Sequence, residues 1–132
     1  MATKEFVYLT YLDAVENHFE LMQSYGEIRY GVDSCDLIKS ALARPKHAAT
    51  YENADVILQA ATLCFGLIKN HPRLGGGNKR TATYLTEIFL ELNGYSLSYQ
   101  LAEIVELSLN VESDVWQTGE IENWLRSRIE RI

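Results

Sequence analysis

The 132-residue chain has two cysteines, two prolines and no apolar run long enough to cross a bilayer. Each shortage narrows what it can be. Cys35 and Cys64 lie inside apolar segments, with no CxxC and no Cys/His ligand spacing. Neither a disulfide framework nor a zinc site is therefore expected, and both read as free, buried thiols. The opening "MATKEFVYLTYLD" lacks the basic start and continuous apolar core of a secretory signal. The expected compartment is a reducing cytoplasm, with no membrane contact. Positive charge is also short, with 12 Lys and Arg against 18 Asp and Glu, for a net −6. Such a field repels phosphodiester backbones, so no direct nucleic-acid partner is expected. The length is that of one domain, residues 1–132, able to bury a core without metal or disulfide staples.

What is present is helical periodicity, punctuated by Gly, Pro and Asn. The first helix is expected from near Thr10, capped with Asp13, to "SYGE", where Gly26 supplies a left-handed stop. A second begins near Asp33 or Ser34 and ends before Pro45. The stretch "RPKHAATYENAD" admits either a loop or a small β-hairpin. A third helix runs from about Asn53 to Lys69, with Val56, Ala60, Leu63 and Leu67 on one buried face. The fourth runs from Asn78 to Leu92, with Ala82, Leu85, Ile88, Phe89 and Leu92 on one side, and "NG" as its stop. It reads as the central helix. Two more follow, about Gln100 to Asn110 and Thr118 to the C-terminus. In the last, Ile121, Trp124, Leu125 and Ile129 point inward, and Arg126, Arg128 and Arg131 lie near the favourable end of the dipole. The expectation is an all-α, six-helix fold.

Chemistry concentrates in "NHPRLGGGNKRTATY", Asn70 to Tyr84. Gly75, Gly76 and Gly77 remove side chains from the bend between two buried helices, which lets backbone N–H groups approach a ligand. Asn78 opens the next helix, whose first N–H groups and partial positive charge favour an anion. Lys79 and Arg80 add full charges, and a guanidinium can hold two phosphate oxygens at once. Lys69 and Arg73 fall within the same dozen positions. His71, on the other rim, carries the side chain that titrates nearest neutrality and so suits general acid/base work. Taken alone, the glycines equally serve a tight helix connection, and a histidine before Pro72 equally serves as a cap. Lys79 and Arg80, however, open a helix where the dipole disfavours cations, and a nearby anion offsets that cost.

The order of His, glycines and Asn-Lys-Arg-Thr-Ala on an apolar helix resembles the signature of the Fic/Doc family. "NKRTATYLTEIFLELNGY" is similar to the segment that follows the catalytic histidine in the death-on-curing (Doc) branch, down to its Leu-x-x-Asn-Gly close. "YLTYLDAVENHFELMQSYG" resembles the family's opening helix. "LIKSALARPKHAATYENADVILQAATLCFGLIKNHP" resembles its helix, flap and approach to the motif. The resemblance implies a compact toxin of a toxin–antitoxin pair that uses ATP and Mg²⁺ to modify a hydroxyl on a protein of the translation machinery. In the wider Fic group the transferred group is AMP. In the Doc branch, where Lys follows the Asn as Lys79 does here, it is a phosphoryl group placed on the elongation factor that delivers aminoacyl-tRNA. Carried over by position, His71 is the base. Gly76, Gly77, Asn78, Lys79 and Arg80 hold phosphate, and His47 lies in the flap that aligns the target. A separate antitoxin chain is implied, with exposed apolar surface near the motif as its footprint.

The loop departs from the family pattern in three ways. The spacing from His71 to Asn78 is one residue longer. Arg73 or Leu74 replaces the anchoring aromatic, and the acidic metal ligand is missing, with Gly75 or Gly76 in its place. These changes predict weakened chemistry and raise the alternative of a module that binds nucleotide or antitoxin without turnover. His18 reads as a surface or packing residue. Trp116, Trp124 and the tyrosines read as core or partner-facing surface.

Overall fold

A computed structural model describes residues 5–24, 26, 35–69 and 78–132. Among them are six helices, α1 (Tyr11–Ser24), α2 (Cys35–Glu52), α3 (Val56–Lys69), α4 (Asn78–Leu92), α5 (Leu101–Glu112) and α6 (Thr118–Arg126). Two short strands, β1 (Tyr95–Leu97) and β2 (Ile129–Arg131), complete the set.

The start of α1 is the expected capping box. The Thr10 N–H donates to the Asp13 carboxylate at 3.0 Å, and the Asp13 N–H donates to Thr10 Oγ1 at 3.1 Å. Gly26 stands at φ 72° and donates to the Gln23 carbonyl, as a left-handed stop requires. The bounds of α4 are those read from the sequence, and Gly94 closes it at φ 95°.

The helix at the centre is α3 rather than α4. Ten of its fourteen residues are buried, including Val56, Ala60, Leu63 and Leu67, because it packs against α2, α4, α5 and α6 at once. One side of α4 joins it through Ala82, Leu85 and Phe89, while Ile88 is half-buried and Leu92, expected inward, is 47% exposed.

Further expectations are corrected. α2 does not end before Pro45 but runs through it to Glu52. An interior proline costs a helix about 3 kcal/mol, and burial of Pro45 and Ala48 where α2 lies along α3 outweighs that cost. The stretch read as loop or hairpin is therefore mostly helix. Asn53 does not open α3; it closes α2 in the left-handed region at φ 52°, and Asp55 caps α3 instead by accepting the Leu58 N–H at 2.9 Å. The last helix stops at Arg126. Beyond it β2 pairs antiparallel with β1, in the register Tyr95 with Arg131, Ser96 with Glu130 and Leu97 with Ile129. The small antiparallel pair thus joins the chain after α4 to the chain after α6. Of the three arginines, only Arg126 lies in the last turn of α6. Arg128 caps the Trp124 ring at 4.5 Å and pairs with Glu103 of α5, which draws the chain away from the helix axis.

Candidate functional site

α4 begins where the chain emerges from the glycine-rich stretch, and its first turn is held from two sides. α3 packs along it, and α1 supplies His18. His18 is fully buried, with its Nδ1 2.8 Å from Thr81 Oγ1. The first turn therefore cannot slide or rotate without breaking a buried polar contact, which costs about 1–3 kcal/mol. Below it, Thr86 Oγ1 donates to the Ala82 carbonyl at 2.7 Å. Burial lifts the Cys64 thiol to about 12, and a hydrogen bond with Thr86 only partly offsets it. This thiol packs as a small apolar group and is no nucleophile, as its sequence context suggested.

The first turn of α4 carries Lys79 and Arg80 and no acidic residue. Helix starts ordinarily favour Asp or Glu, so a first turn with two cations and no acid departs from that preference. Arg80 is half-buried. The first N–H groups of an α-helix have no acceptor within the helix, which is the general basis for anion binding at such an end.

Of the residues singled out from the sequence, Asn78, Lys79 and Arg80 share this turn. His71, Gly76 and Gly77 lie outside the described residues. His47 stands in the second half of α2, on its exposed side, with its ring edge-on to Tyr51 at 6.0 Å; it is part of a helix and not of a hairpin. Lys69, grouped with the anion-attracting cations, is ion-paired with Asp114, so its charge is already met. His18 was missed as a supporting residue. Its signal was present, since Ala14, His18 and Met22 form one buried stripe at steps of four.

A model of the Fic/DOC family matches residues 8–90, more than half of the chain. The chain belongs to the Fic/Doc family. No curated protein matches it closely. Family members use a nucleotide to modify proteins, generally ATP with Mg²⁺, and the matched segment runs from the lead into α1 to the end of α4. The first turn of α4, which carries Lys79 and Arg80 and no acid, is the part of the described structure to compare with the needs of ATP phosphates. No acid lies in 70–77, and no group of three or more His, Cys, Asp or Glu among the described residues could hold a metal ion. Nor is any helix of the described residues long and apolar enough to cross a membrane.

Proposed function

We propose that this Fic/Doc chain is a Doc-like toxin of a toxin–antitoxin pair. It transfers the γ-phosphoryl group of ATP to a Ser or Thr hydroxyl of a translation protein, such as the elongation factor that delivers aminoacyl-tRNA. The observation that carries this reading is Lys79 directly after Asn78 at the start of α4, followed by Arg80 in a turn without acids. Phosphoryl transfer asks a protein mainly for position and charge, and this turn offers both.

In the proposed step the target hydroxyl oxygen forms a bond to the γ-phosphorus while its proton passes to His71. The bond from the γ-phosphorus to the β–γ bridging oxygen breaks, and ADP leaves. Gly76, Gly77 and Asn78 hold phosphate through backbone N–H groups, and Lys79 and Arg80 neutralise charge as it shifts. His18 and Thr81 keep the turn in register. No step is routed through Mg²⁺, because the loop offers it no carboxylate. His47 serves, in this reading, to align the target, and residues 1–132 act as one cytoplasmic domain. The antitoxin, a separate chain, covers exposed apolar residues on the outer face of α1. Leu12 is 64% exposed and Phe19, whose ring lies 5.8 Å from that of His18, is 37% exposed.

The experiment is mass spectrometry of a translation extract incubated with the protein, Mg²⁺ and ATP, with His71→Ala as the control. A His71-dependent gain of one phosphoryl group on Ser or Thr is expected. A gain of AMP instead would reassign the chain to the AMP-transferring Fic type. The longer loop and its missing acid favour a second reading, a module that retains binding without turnover. Calorimetry that shows ATP binding with no transferred group would select it.

A further inference from the structure

We propose that the cleft between the segment leading into α1 and the outer face of α2 is a second binding site, for a small anion carried on an aromatic ring. The cleft encloses about 380 Å³, within the size range of small-molecule pockets. Its floor is apolar, made by Leu9 on one side and by Leu42 and Ala43 of α2 on the other. Tyr8 and Tyr11 form one wall. The Tyr8 ring is stacked on Phe89 of α4, with centroids 6.0 Å apart and planes at 23°, so this wall is fixed before any ligand arrives.

Among the described residues, the charged groups that line the cleft are all of one sign. Lys39 and Lys46 lie seven residues apart on α2, on the same face and about 10 Å apart along the axis. Both lysines line the cleft, and His47 follows Lys46 in the chain and lines it too. The Lys39 ammonium lies 5.4 Å from the centre of the Tyr11 ring. Among the described residues neither lysine forms an ion pair, and no Asp or Glu lines the cleft. In a chain of net charge −6 such a concentration runs against composition. Burial raises the Tyr8 hydroxyl above its usual range, so it remains a hydrogen-bond donor to an anion at neutral pH.

A bare phosphate would shed its hydration against Leu9, Leu42 and Ala43 and gain few partners there. A bare ring would leave the lysines unused. An aryl phosphate or aryl carboxylate uses both, with the ring against the tyrosines and aliphatic floor and the head group at a lysine. Of the residues that line the cleft, His47 alone has a part in the proposed transfer, and Tyr8, Leu9, Tyr11, Lys39 and Lys46 have none. The cleft sits at the start of α1, whereas His18 meets the first turn of α4 two turns further on.

The test is an ¹H–¹⁵N NMR titration of the full chain with phenyl phosphate and with benzoate, against inorganic phosphate and phenol as the separated halves. Saturable shifts are expected at the amides of residues 8–11 and 39–47, with each half binding at least tenfold more weakly. Whichever of phenyl phosphate and benzoate binds tighter identifies the head group. Lys39→Met with Lys46→Met should weaken binding at least tenfold, and the paired Arg variants should retain it. Equal binding of inorganic phosphate, no saturable shift, or shifts confined to the first turn of α4 would overturn the proposal. If the Met variant loses its folded spectrum, the comparison of whole ligand with halves on the unaltered chain decides alone. None of these readouts depends on whether His71 supports group transfer.

Discussion

At the residue scale, the positions that matter most are polar groups placed against apolar neighbours. Glu87 of α4 is one. Burial raises its carboxyl above the ordinary range, a hydrogen bond with Tyr99 partly offsets this, and Glu91 one turn on adds to it. Because the folded value exceeds the unfolded one, the fold favours the protonated form. That contribution is fully present below the unfolded value and is lost as pH rises through the folded one. Glu87→Gln, which mimics the protonated group, is therefore expected to raise the urea midpoint at pH 7. Well below the carboxylate range it should leave the midpoint nearly unchanged, and a midpoint that falls at pH 7 would refute the assignment. The candidate site was partly legible at this scale. The start of α4 at Asn78, with Lys79 and Arg80 in a first turn without acids, could be read because cations at a helix start break a local electrostatic rule visible in sequence. The burial of His18 could be read from its stripe with Ala14 and Met22, but its partner could not, since Thr81 lies 63 positions away. The pairing of Lys69 with Asp114 was hidden for the same reason.

At the scale of elements, boundaries set by local chemistry were readable and those set by distant partners were not. The Thr10 and Asp13 box, the Gly26 stop and the limits of α4 rest on neighbouring residues alone. The passage of α2 through Pro45 rests on α3, and the conversion of 129–131 to a strand rests on β1. Asn93 shows the distinction within one residue. Read as half of a helix stop, it also clamps the segment before α1. Its Oδ1 accepts from the Val7 N–H at 2.9 Å, and its Nδ2 donates to the carbonyls of Val7 and Phe89 at 2.9 and 2.8 Å. Asn93→Asp keeps the first bond and loses both donors, placing a carboxylate beside two carbonyl oxygens. A loss of about 1–3 kcal/mol is expected in chemical denaturation. Limited proteolysis should cut residues 5–10 faster than in the unaltered chain, and unchanged proteolysis would show that Asn93 is no clamp.

At the scale of the whole molecule, the family signature and the folding unit do not coincide. The family match ends at residue 90, yet Leu97, Leu107, Val111, Ile121, Trp124 and Leu125 all belong to the same core as Leu63, Leu85 and Phe89. α3 is buried on all but the stripe of Leu58, Thr62, Phe65 and Lys69 because α5 and α6 cover sides that α2 and α4 leave open. A fragment ending at Leu92 would expose most of that surface, at about 25 cal/mol for each Å² of apolar area. It is expected to show helical circular dichroism without a cooperative thermal transition, and a sharp transition would show that the first four helices suffice. The clamp at Asn93 has one more consequence, for how the protein can be handled. It fixes the incoming chain beside the C-terminal end of α4, while the proposed transfer site lies at the helix's other end. A fusion partner or surface tether attached ahead of Glu5 therefore enters on the far side of the molecule, leaving the first turn of α4 open to nucleotide and target.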